Sequence, residues 1–389
     1  MSRWLVPATL LLAVVVLAVA VVTTLRARPL DADRAWRASP AEEPSAAAGP
    51  AAGDWYAIYF TEPKYPDRPE TRHGGIDERF VVFIDGAQRS LDIAVYEFDL
   101  DNVAEALVRA QHRGVAVRMV MDSDTLENTR DEATRQAVAK LRGAGIPIVG
   151  DGRQAIMHHK FAVRDGEEVW TGSWNFTSGD TYRLNNNAVR LRSRELAENF
   201  TAEFRKLFEA RQFGPQKPKG VPHPSIAIGS ARIETYFAPQ DGVAGRVAAR
   251  VREAQQSLHF LAFSFTHDGI AQAVLERAQA GVAVSGVFER TGSETRFSEF
   301  GKFKQAGLDV YQDGNPYAMH HKVFIIDGRT VLFGSFNFSD SADRDNDENL
   351  LIVDDPGFAQ AFEQEFERVL ALAKNPPQRE RGRSAGAGR

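Results

Sequence analysis

Two segments of the chain carry the same polar side chains at the same spacing. In each segment a histidine is followed by a lysine, then by an aspartate and finally by a Gly-Ser-x-Asn sequence. The first set is His158, Lys160, Asp165, Gly172, Ser173 and Asn175. The second set is His320, Lys322, Asp327, Gly334, Ser335 and Asn337. Imidazole, ammonium, hydroxyl and amide groups together bind an oxyanion and move protons around it.

The spacing predicts that the polar groups of each set converge. Side chains alternate between the two faces of a strand, so His158 and Lys160 point one way while His159 points the other, towards the core. A hairpin then places Ser173 and Asn175 on the neighbouring strand, again on one face. Two such sets facing each other would surround an anion with two histidines, two lysines and two asparagines.

This paired arrangement favours cleavage of a phosphodiester. One imidazole attacks phosphorus and forms a covalent phosphohistidine, while the other protonates the departing oxygen and later activates water. The lysines and asparagines stabilise the equatorial oxygens, with the serines beside them in the phosphate site. Because the sequence has no compact cluster of carboxylates and histidines, we expect no metal and no other cofactor.

The two aspartates have a structural interpretation beside the catalytic one. Asp165 and Asp327 each precede a glycine, and this dipeptide suits the tight turn of a hairpin. The pattern predicts strands at 160–163 and 169–171, on either side of the first turn. We keep both aspartates as candidate catalytic residues and expect them mainly to form turns or to accept backbone N–H groups.

The two sets belong to an internal repeat. Residues 87–91 reappear at 254–258, residues 114–117 at 281–284, and residues 157–160 at 319–322. A repeat of this length predicts two copies of one unit, residues 55–213 and 231–373, joined by a Pro-rich linker at 214–230. Strands alternate with helices in each copy, which predicts two tandem α/β sandwich units related by a pseudo-two-fold axis. Each copy closes with a helix that carries a phenylalanine stripe, at 200, 204 and 208 and at 358, 362 and 366. Because both sets lie in one chain, we expect a monomer.

Composition excludes several classes of protein. The chain has 389 residues, 43% of them hydrophobic, a formal net charge of −5 and no cysteine. The lack of cysteine excludes disulfide scaffolds, Cys-ligated zinc or iron–sulfur sites and thiol catalysis. A net acidic chain also lacks the overall positive field of a bulk nucleic-acid binder, although a local basic patch is compatible with this charge.

The N-terminal segment indicates attachment to a membrane. Residues 4–25 form an almost unbroken apolar run that is long enough to span a bilayer as one helix. We favour an uncleaved anchor within residues 1–28 over a cleaved signal peptide, with the rest of the chain exported to the periplasmic or extracellular side. The arginines after the run argue for the opposite orientation. Residues 29–54 are predicted to be a flexible tether and residues 374–389 a disordered basic tail.

The motif H-x-K-x4-D-x6-G-S-x-N, present twice, resembles that of the phospholipase D superfamily over roughly residues 55–373. The resemblance implies phosphodiester hydrolysis on a phospholipase D-like fold, with His158 as the nucleophile and His320 as the general acid. In that superfamily an acidic residue downstream of the motif orients the catalytic histidine. The second copy has Glu348 at this place and the first has Asn186. We therefore expect Glu348 to support His320, and His158 to be less well supported.

The motifs indicate which bond is cleaved but not which molecule contains it. The apolar N-terminal run and the acidic net charge favour a phospholipase D that acts on phospholipid headgroups in a membrane. The compact motif spacing, the basic tail, Lys217 and Lys219 favour instead a tethered or exported endonuclease. A non-catalytic module that binds lipid or nucleic acid is the least favoured hypothesis, because both polar sets are intact. Hydrolysis and transfer to an alcohol both remain open.

Overall fold

Two mixed β-sheets with the same strand order form the framework of the protein. The structure is a computed structural model and describes residues 51–377. The first sheet consists of β1 Ala51–Gly53, β2 Tyr56–Phe60, β3 Ser90–Val95, β4 Ala116–Met121, β5 Ile148–Gly150, β6 Lys160–Arg164, β7 Glu168–Gly172 and β9 Asn187–Arg192. The second consists of β10 Ser225–Ile228, β11 Ala231–Ala238, β12 Ser257–Ala262, β13 Ala283–Phe288, β14 Asp309–Gln312, β16 Lys322–Ile326, β17 Thr330–Gly334 and β18 Glu348–Asp354.

The order of strands confirms the internal repeat. It is β1-β2-β9-β7-β6-β3-β4-β5 in the first sheet and β10-β11-β18-β17-β16-β12-β13-β14 in the second. In the first sheet, β6 begins with Lys160 and pairs antiparallel with β7 and with β3. In the second sheet, β16 begins with Lys322 and pairs antiparallel with β17 and with β12. Strands β3 and β12 also pair in parallel with β4 and β13. The prediction of two tandem α/β units is therefore correct.

Helices cover the outer face of each sheet and fill the space between the sheets. Those of the first copy are α1 Ile76–Asp85, α2 Asp101–His112, α3 Glu132–Gly143, α4 Ser178–Tyr182 and α5 Arg194–Phe208. Those of the second are α6 Val243–Arg252, α7 Asp268–Gln279, α8 Arg290–Ser293, α9 Phe300–Gln305, α10 Asp340–Arg344 and α11 Pro356–Lys374. Short helical turns lie at Pro69–Thr71, Asp124–Asn128 and Gly214–Gln216. No helix between residues 51 and 377 is long and apolar enough to cross a membrane.

The central apolar layer joins the two copies. It contains residues from both sheets together with the closing helices α5 and α11, whereas each outer layer belongs to one copy. Five of the six predicted stripe phenylalanines are buried in the central layer, and Phe208 packs against its edge. Because burial of one such side chain contributes about 1.5–3 kcal/mol, this shared layer is a major source of stability.

A short reciprocal set of backbone contacts, here called the seam, also connects the copies. Strand β8, Leu184–Asn185, pairs in parallel with β15, Ala318–Met319, and Met157 bridges to Asp347 in the same sense. Met157 and Met319 are equivalent positions of the repeat, and so are Asn185 and Asp347. Each copy therefore gives the other the same contact that it receives, which is the property of a two-fold interface.

Several predicted boundaries differ from the structure at their margins. Residues 51–53 were expected in the tether and form strand β1, and residues 225–228 were expected in the linker and form strand β10. Both are edge strands held by backbone pairing, which composition does not reveal. The apolar run at 4–25, the rest of the tether and the tail beyond residue 377 lie outside the described residues.

The motif aspartates occupy the hairpin turns, at the opposite end of β6 and β16 from the histidines. Asp165 and Asp327 have φ angles of 56° and 53°. The Asp165 carboxylate accepts from the backbone N–H groups of residues 88, 89 and 90, at 3.0, 2.6 and 2.9 Å. Asp327 does the same for residues 255–257. The carboxylates tie a hairpin to the start of a neighbouring strand, as the turn interpretation expected, so the catalytic interpretation of these two residues is wrong.

Replacing Asp165 by alanine should destabilise the fold without impairing the chemistry. The change leaves three N–H groups without their acceptor and places alanine in the left-handed region, so we expect a loss of about 1–3 kcal/mol in the free energy of unfolding. Asp165→Asn keeps a residue that tolerates this backbone conformation and should lose less. Denaturant titration measures both. A folded D165A protein with normal stability and low kcat would contradict this assignment.

Candidate active site

The seam determines which residues stand beside each motif histidine. The backbone N–H of His158 donates to the backbone carbonyl of Asp347 at 3.0 Å. The backbone N–H of His320 donates to the backbone carbonyl of Asn185 at 2.9 Å. Each histidine is thus held against the backbone of the other copy. The residue that follows each carbonyl consequently lies next to the histidine of the opposite copy.

In the first half-site, His158 bonds to a carboxylate of the second copy. Its Nδ1 lies 2.8 Å from Oε2 of Glu348, and the Ser335 hydroxyl donates to the same oxygen at 2.6 Å. Burial, with the positive charges of Lys160 and Lys322, lowers the pKa of His158 well below its usual range. Burial raises the pKa of Glu348 to about 7, against the opposing effect of Lys160. A neutral ring that donates its Nδ1 proton to Glu348 keeps a lone pair on Nε2.

The observed pairing of acceptors and histidines is the reverse of the predicted one. The sequence predicts that Glu348 supports His320, because both lie in the second copy. The structure places Glu348 on His158, since the seam exchanges these segments between copies. His158 is consequently the histidine with a directly bonded glutamate, and the doubt about its support disappears.

In the second half-site, His320 contacts an amide and a carboxylate of the first copy. Its Nδ1 lies 3.0 Å from Oδ1 of Asn186 and 3.2 Å from Oδ1 of Asp180. Burial, followed by Lys322, lowers the pKa of His320 to about 3, while Asp180 acts to raise it. Burial raises the pKa of Asp180, but the contact with His320 and hydrogen bonds from neighbouring groups outweigh this and hold it below its usual value.

Asp180 is a site residue that the sequence analysis missed. In the repeat, Asp180 aligns with Ala342, and Asn186 aligns with Glu348. The first copy therefore has its carboxylate at position 180, whereas the second copy has it at the position equivalent to 186. The Asp180 side chain is fixed there by Thr177, whose hydroxyl donates to Asp180 Oδ2 at 3.0 Å. One signal was available, because Asp180 is the sole acidic residue of the sequence between residues 173 and 192.

The two motif lysines are buried beside the histidines. Each Nζ donates to the carbonyl of its own motif histidine at 2.8 Å. The Nζ of Lys160 lies 5.1 Å from the centre of the Tyr96 ring, and that of Lys322 lies 4.5 Å from the centre of the Phe263 ring. Burial lowers the pKa of Lys160 to about 8 and that of Lys322 well below its usual range. Each ammonium keeps hydrogens that are not used by its histidine carbonyl, and these are suited to bind an anion.

The electrostatic effects show that the two half-sites form one cluster. Lys160 of the first copy lowers the pKa of both His320 and Lys322 of the second. Lys322 in turn lowers the pKa of His158. The convergence predicted from the repeated spacing is thus observed, and the shared positive charge suits the cluster to bind an oxyanion.

The motif serines have a different role from the predicted one. Ser173 and Ser335 are fully buried, and their hydroxyls donate to Asn186 at 2.8 Å and to Glu348 at 2.6 Å. Each oxygen also accepts a backbone N–H, from residue 187 or 349. The single hydroxyl proton is therefore used to orient the histidine's acceptor, and assignment of these serines to the phosphate site is wrong.

The motif asparagines remain candidates for the phosphate site. Asn175 is buried, and its amide nitrogen has long contacts of 3.4 Å with both Glu97 and Asp180. The buried amide oxygens of Asn175 and Asn337 have no hydrogen-bond partner among the described residues. The sequence analysis also missed Glu97, which precedes the site in the first copy and has its pKa raised by burial and then by Asp180.

The second histidine of each motif lies on the other side of its strand, as predicted. His159 and His321 are fully buried. His321 Nε2 lies 2.9 Å from Glu365, and His159 lies 3.6 Å from Glu203 at the equivalent position. Both glutamates lie on the closing helices, Glu203 on α5 and Glu365 on α11. Within residues 51–377, His, Asp and Glu side chains form no group of three or more that could hold a metal ion.

Comparison with known proteins agrees with this architecture. The chain matches the family described as "Cardiolipin synthase, PLD-like domain" over residues 80–208 and 247–370. A mitochondrial cardiolipin hydrolase of Chlamydomonas reinhardtii is 38% identical over 121 residues, which are 31% of this chain and 54% of that protein. A phospholipase D of Rickettsia felis is 29% identical over 164 residues, 42% of this chain and 82% of the relative. The solved phosphatidylserine synthase of Haemophilus influenzae has the same fold, with a TM-score of 0.62 and 13% identity over 81% of this chain and 86% of that one.

Tandem α/β units with paired histidine–lysine half-sites define a phosphodiesterase with two motifs in one chain. The family match covers one segment in each copy, and these segments contain both half-sites. The chain belongs to the phospholipase D superfamily and is a phosphodiester hydrolase of that superfamily.

Removing the Asp180 carboxylate should weaken the acid function of His320. Because Asp180 raises the pKa of His320, Asp180→Asn should lower that pKa further and move the basic limb of the kcat–pH profile to lower pH. We expect kcat at neutral pH to fall about 10–100-fold. The double variant D180A/N186E reproduces the arrangement of the second copy, Ala342 with Glu348, and should recover much of the rate. An unchanged pH profile in folded D180N would contradict this role.

Proposed function

We propose that this chain is a membrane-attached phospholipase D that hydrolyses phospholipid headgroups through a phosphohistidine on His158. The observation that carries the proposal is the crossed pairing, in which each catalytic histidine has its Nδ1 bonded to acceptors of the other copy. Both rings are thereby oriented with Nε2 available for chemistry.

His158 is the proposed nucleophile because its ring is neutral and its Nδ1 proton is bonded to Glu348. Nε2 attacks phosphorus, the P–N bond forms, and the P–O bond to the headgroup breaks. The positive charge that develops on the ring is stabilised by Glu348, whose effect an amide would not match. The buried lysines bind the phosphoryl oxygens as their charge increases.

His320 is the proposed general acid and then the general base. Its Nε2 donates a proton to the departing headgroup oxygen and later takes one from the water that attacks phosphorus and breaks the P–N bond. Burial and Lys322 disfavour the protonated ring in the free protein. A bound phosphodiester places negative charge beside the ring and so favours protonation when substrate is present.

A membrane phospholipid is the proposed substrate for two reasons. The relatives that match are named phospholipase D and cardiolipin hydrolase, and the apolar run at 4–25 has the length of a bilayer span. An anchor of this kind would hold the site near lipid, with the catalytic part on the exported side. The proposed enzyme acts as a monomer and without a metal.

An endonuclease is the second candidate function, and one of its supports is removed by the structure. Lys217 was considered as part of a basic surface, but it is buried and paired with Glu203 and Asp347. It cannot contribute to a groove that binds the phosphates of a nucleic acid. Lys219 is exposed and remains compatible with this alternative.

A diester with a good leaving group should reveal the covalent intermediate. Nitrophenolate needs no proton to depart, so His320→Asn with bis-p-nitrophenyl phosphate should give a stoichiometric burst followed by slow turnover. Mass spectrometry should then find a mono-p-nitrophenyl phosphoryl group on His158, and His158→Asn should abolish the burst. Label on His320, or a burst in H158N, would show that the two roles are reversed or the mechanism is different.

The substrate is tested with the full-length chain on phospholipid vesicles and, separately, on single- and double-stranded DNA, each with EDTA. We expect release of headgroup together with phosphatidic acid, no effect of EDTA, and loss of activity in His158→Ala. His112→Ala is the matched control, because this exposed histidine at the end of α2 is remote from the motifs. DNA cleavage that depends on His158, with lipid untouched, would establish the nuclease instead. Equal products from wild type and H158A/H320A would favour the non-catalytic module.

A further inference from the structure

Two exposed aromatic side chains lie on loops next to the second half-site. Among the described residues, Tyr65 and Phe297 are the large hydrophobic side chains with high exposure, at 46% and 64%. Single exposed apolar residues are common in folded proteins and need no explanation by themselves. The placement of these two residues does need an explanation, because both loops contact residues that lead directly to His320.

The loop of Phe297 packs beside the catalytic residues of the second copy. The Glu299 N–H donates to the Phe265 carbonyl at 3.0 Å, and Gly292 lies against the carbonyl of Phe263. The Phe263 ring in turn is 4.5 Å from the ring of His320. Phe263 therefore lies between the general acid and α8, the helix that leads into this loop.

The loop of Tyr65 packs against the outer end of the seam. The Tyr65 ring lies 5.5 Å from that of Tyr317, whose hydroxyl accepts from the Asp67 N–H at 2.7 Å. Tyr317 immediately precedes β15, and β15 leads to His320. This second aromatic is thus joined to the same histidine from another side of the fold.

A guanidinium lies beside Phe297, and another lies beside Tyr317, the ring that contacts Tyr65. The Arg296 Cζ lies 4.7 Å from the centre of the Phe297 ring, and the Arg183 Cζ lies 5.8 Å from the centre of the Tyr317 ring. Aromatic rings with neighbouring cations are the combination that proteins place at the headgroup level of anionic bilayers. Stacking of nucleobases uses rings as well, but with a continuous basic track. Here the exposed Glu294 lies two residues before Arg296 and interrupts such a track.

We propose that Tyr65 and Phe297 enter the interfacial region of an anionic phospholipid bilayer and hold the mouth of the active site against it. The proposal rests on the proposed lipid substrate and adds the surface by which the site reaches that substrate. Arg296 and Arg183 contact lipid phosphates, while the two rings occupy the boundary between headgroups and acyl chains. A headgroup phosphate can then reach Lys322 and His320 without leaving the membrane plane.

The lack of cysteine in the chain permits a direct test by site-specific labelling. Single variants of the full-length chain, Phe297→Cys and Tyr65→Cys, are labelled with an environment-sensitive fluorophore. Arg329→Cys is the matched control, because this exposed residue lies in the hairpin turn at the opposite end of β16 from Lys322. Phosphatidylcholine vesicles containing phosphatidylglycerol should shift the emission of labels at 65 and 297 to shorter wavelength. Nitroxide-bearing lipids should quench both labels and leave the label at 329 unchanged.

Kinetics separate failure of this inference from failure of the proposed function. Phe297→Ala should lower turnover of vesicle phospholipid roughly tenfold, and leave hydrolysis of soluble bis-p-nitrophenyl phosphate unchanged. The inference is overturned, and the proposed function stands, if wild type and F297A hydrolyse lipid equally and the labels at 65 and 297 behave like the label at 329. A chain that cleaves DNA but no phospholipid, with a label at 297 that responds to single-stranded DNA, overturns both.

Discussion

The active site depends on the exchange of short backbone segments across the seam. Parallel pairing of Met157 with Asp347, and of Met319 with Asn185, fixes each motif histidine against the other copy. Neither copy by itself has both a histidine and the acceptor for its Nδ1. The site is consequently formed by the interface between the copies. How accurately each histidine is positioned against its acceptor depends on how rigidly the two copies are joined.

A buried group of charges reinforces this junction. Lys217 of the linker pairs with Glu203 and Asp347, and Arg153 pairs with Asp347 from the first copy. Burial lowers the pKa of Lys217, but the two carboxylates outweigh it and keep the lysine charged. Loss of one partner in such a group commonly costs about 3–5 kcal/mol, because it leaves a buried charge uncompensated. Since Asp347 precedes Glu348, the linker helps to hold the acceptor of the nucleophile in place.

The repeat preserves the chemistry while its details have diverged. Glu348 orients His158 directly, whereas His320 is supported by Asn186 and by Asp180 from another position. A nucleophile and a general acid have different needs, because one must be neutral before it attacks and the other must carry a proton. The unequal supports accord with unequal roles, whereas burial, followed by the two lysines, lowers the pKa of both rings.

The duplicated unit, the alternation of strands and helices, and the two histidine–lysine pairs are all evident from the amino-acid sequence. These follow from local spacing, since residues two apart on a strand share a face wherever that strand lies. The sequence also indicated a turn at Asp165, which the structure confirms, whereas the catalytic interpretation of this residue is wrong. Three features became evident only from the folded chain: Glu348 bonds to His158, Ser173 and Ser335 orient the acceptors, and Asp180 replaces a missing glutamate. These depend on contacts between copies far apart in the chain, and no local pattern records which copy a side chain will meet.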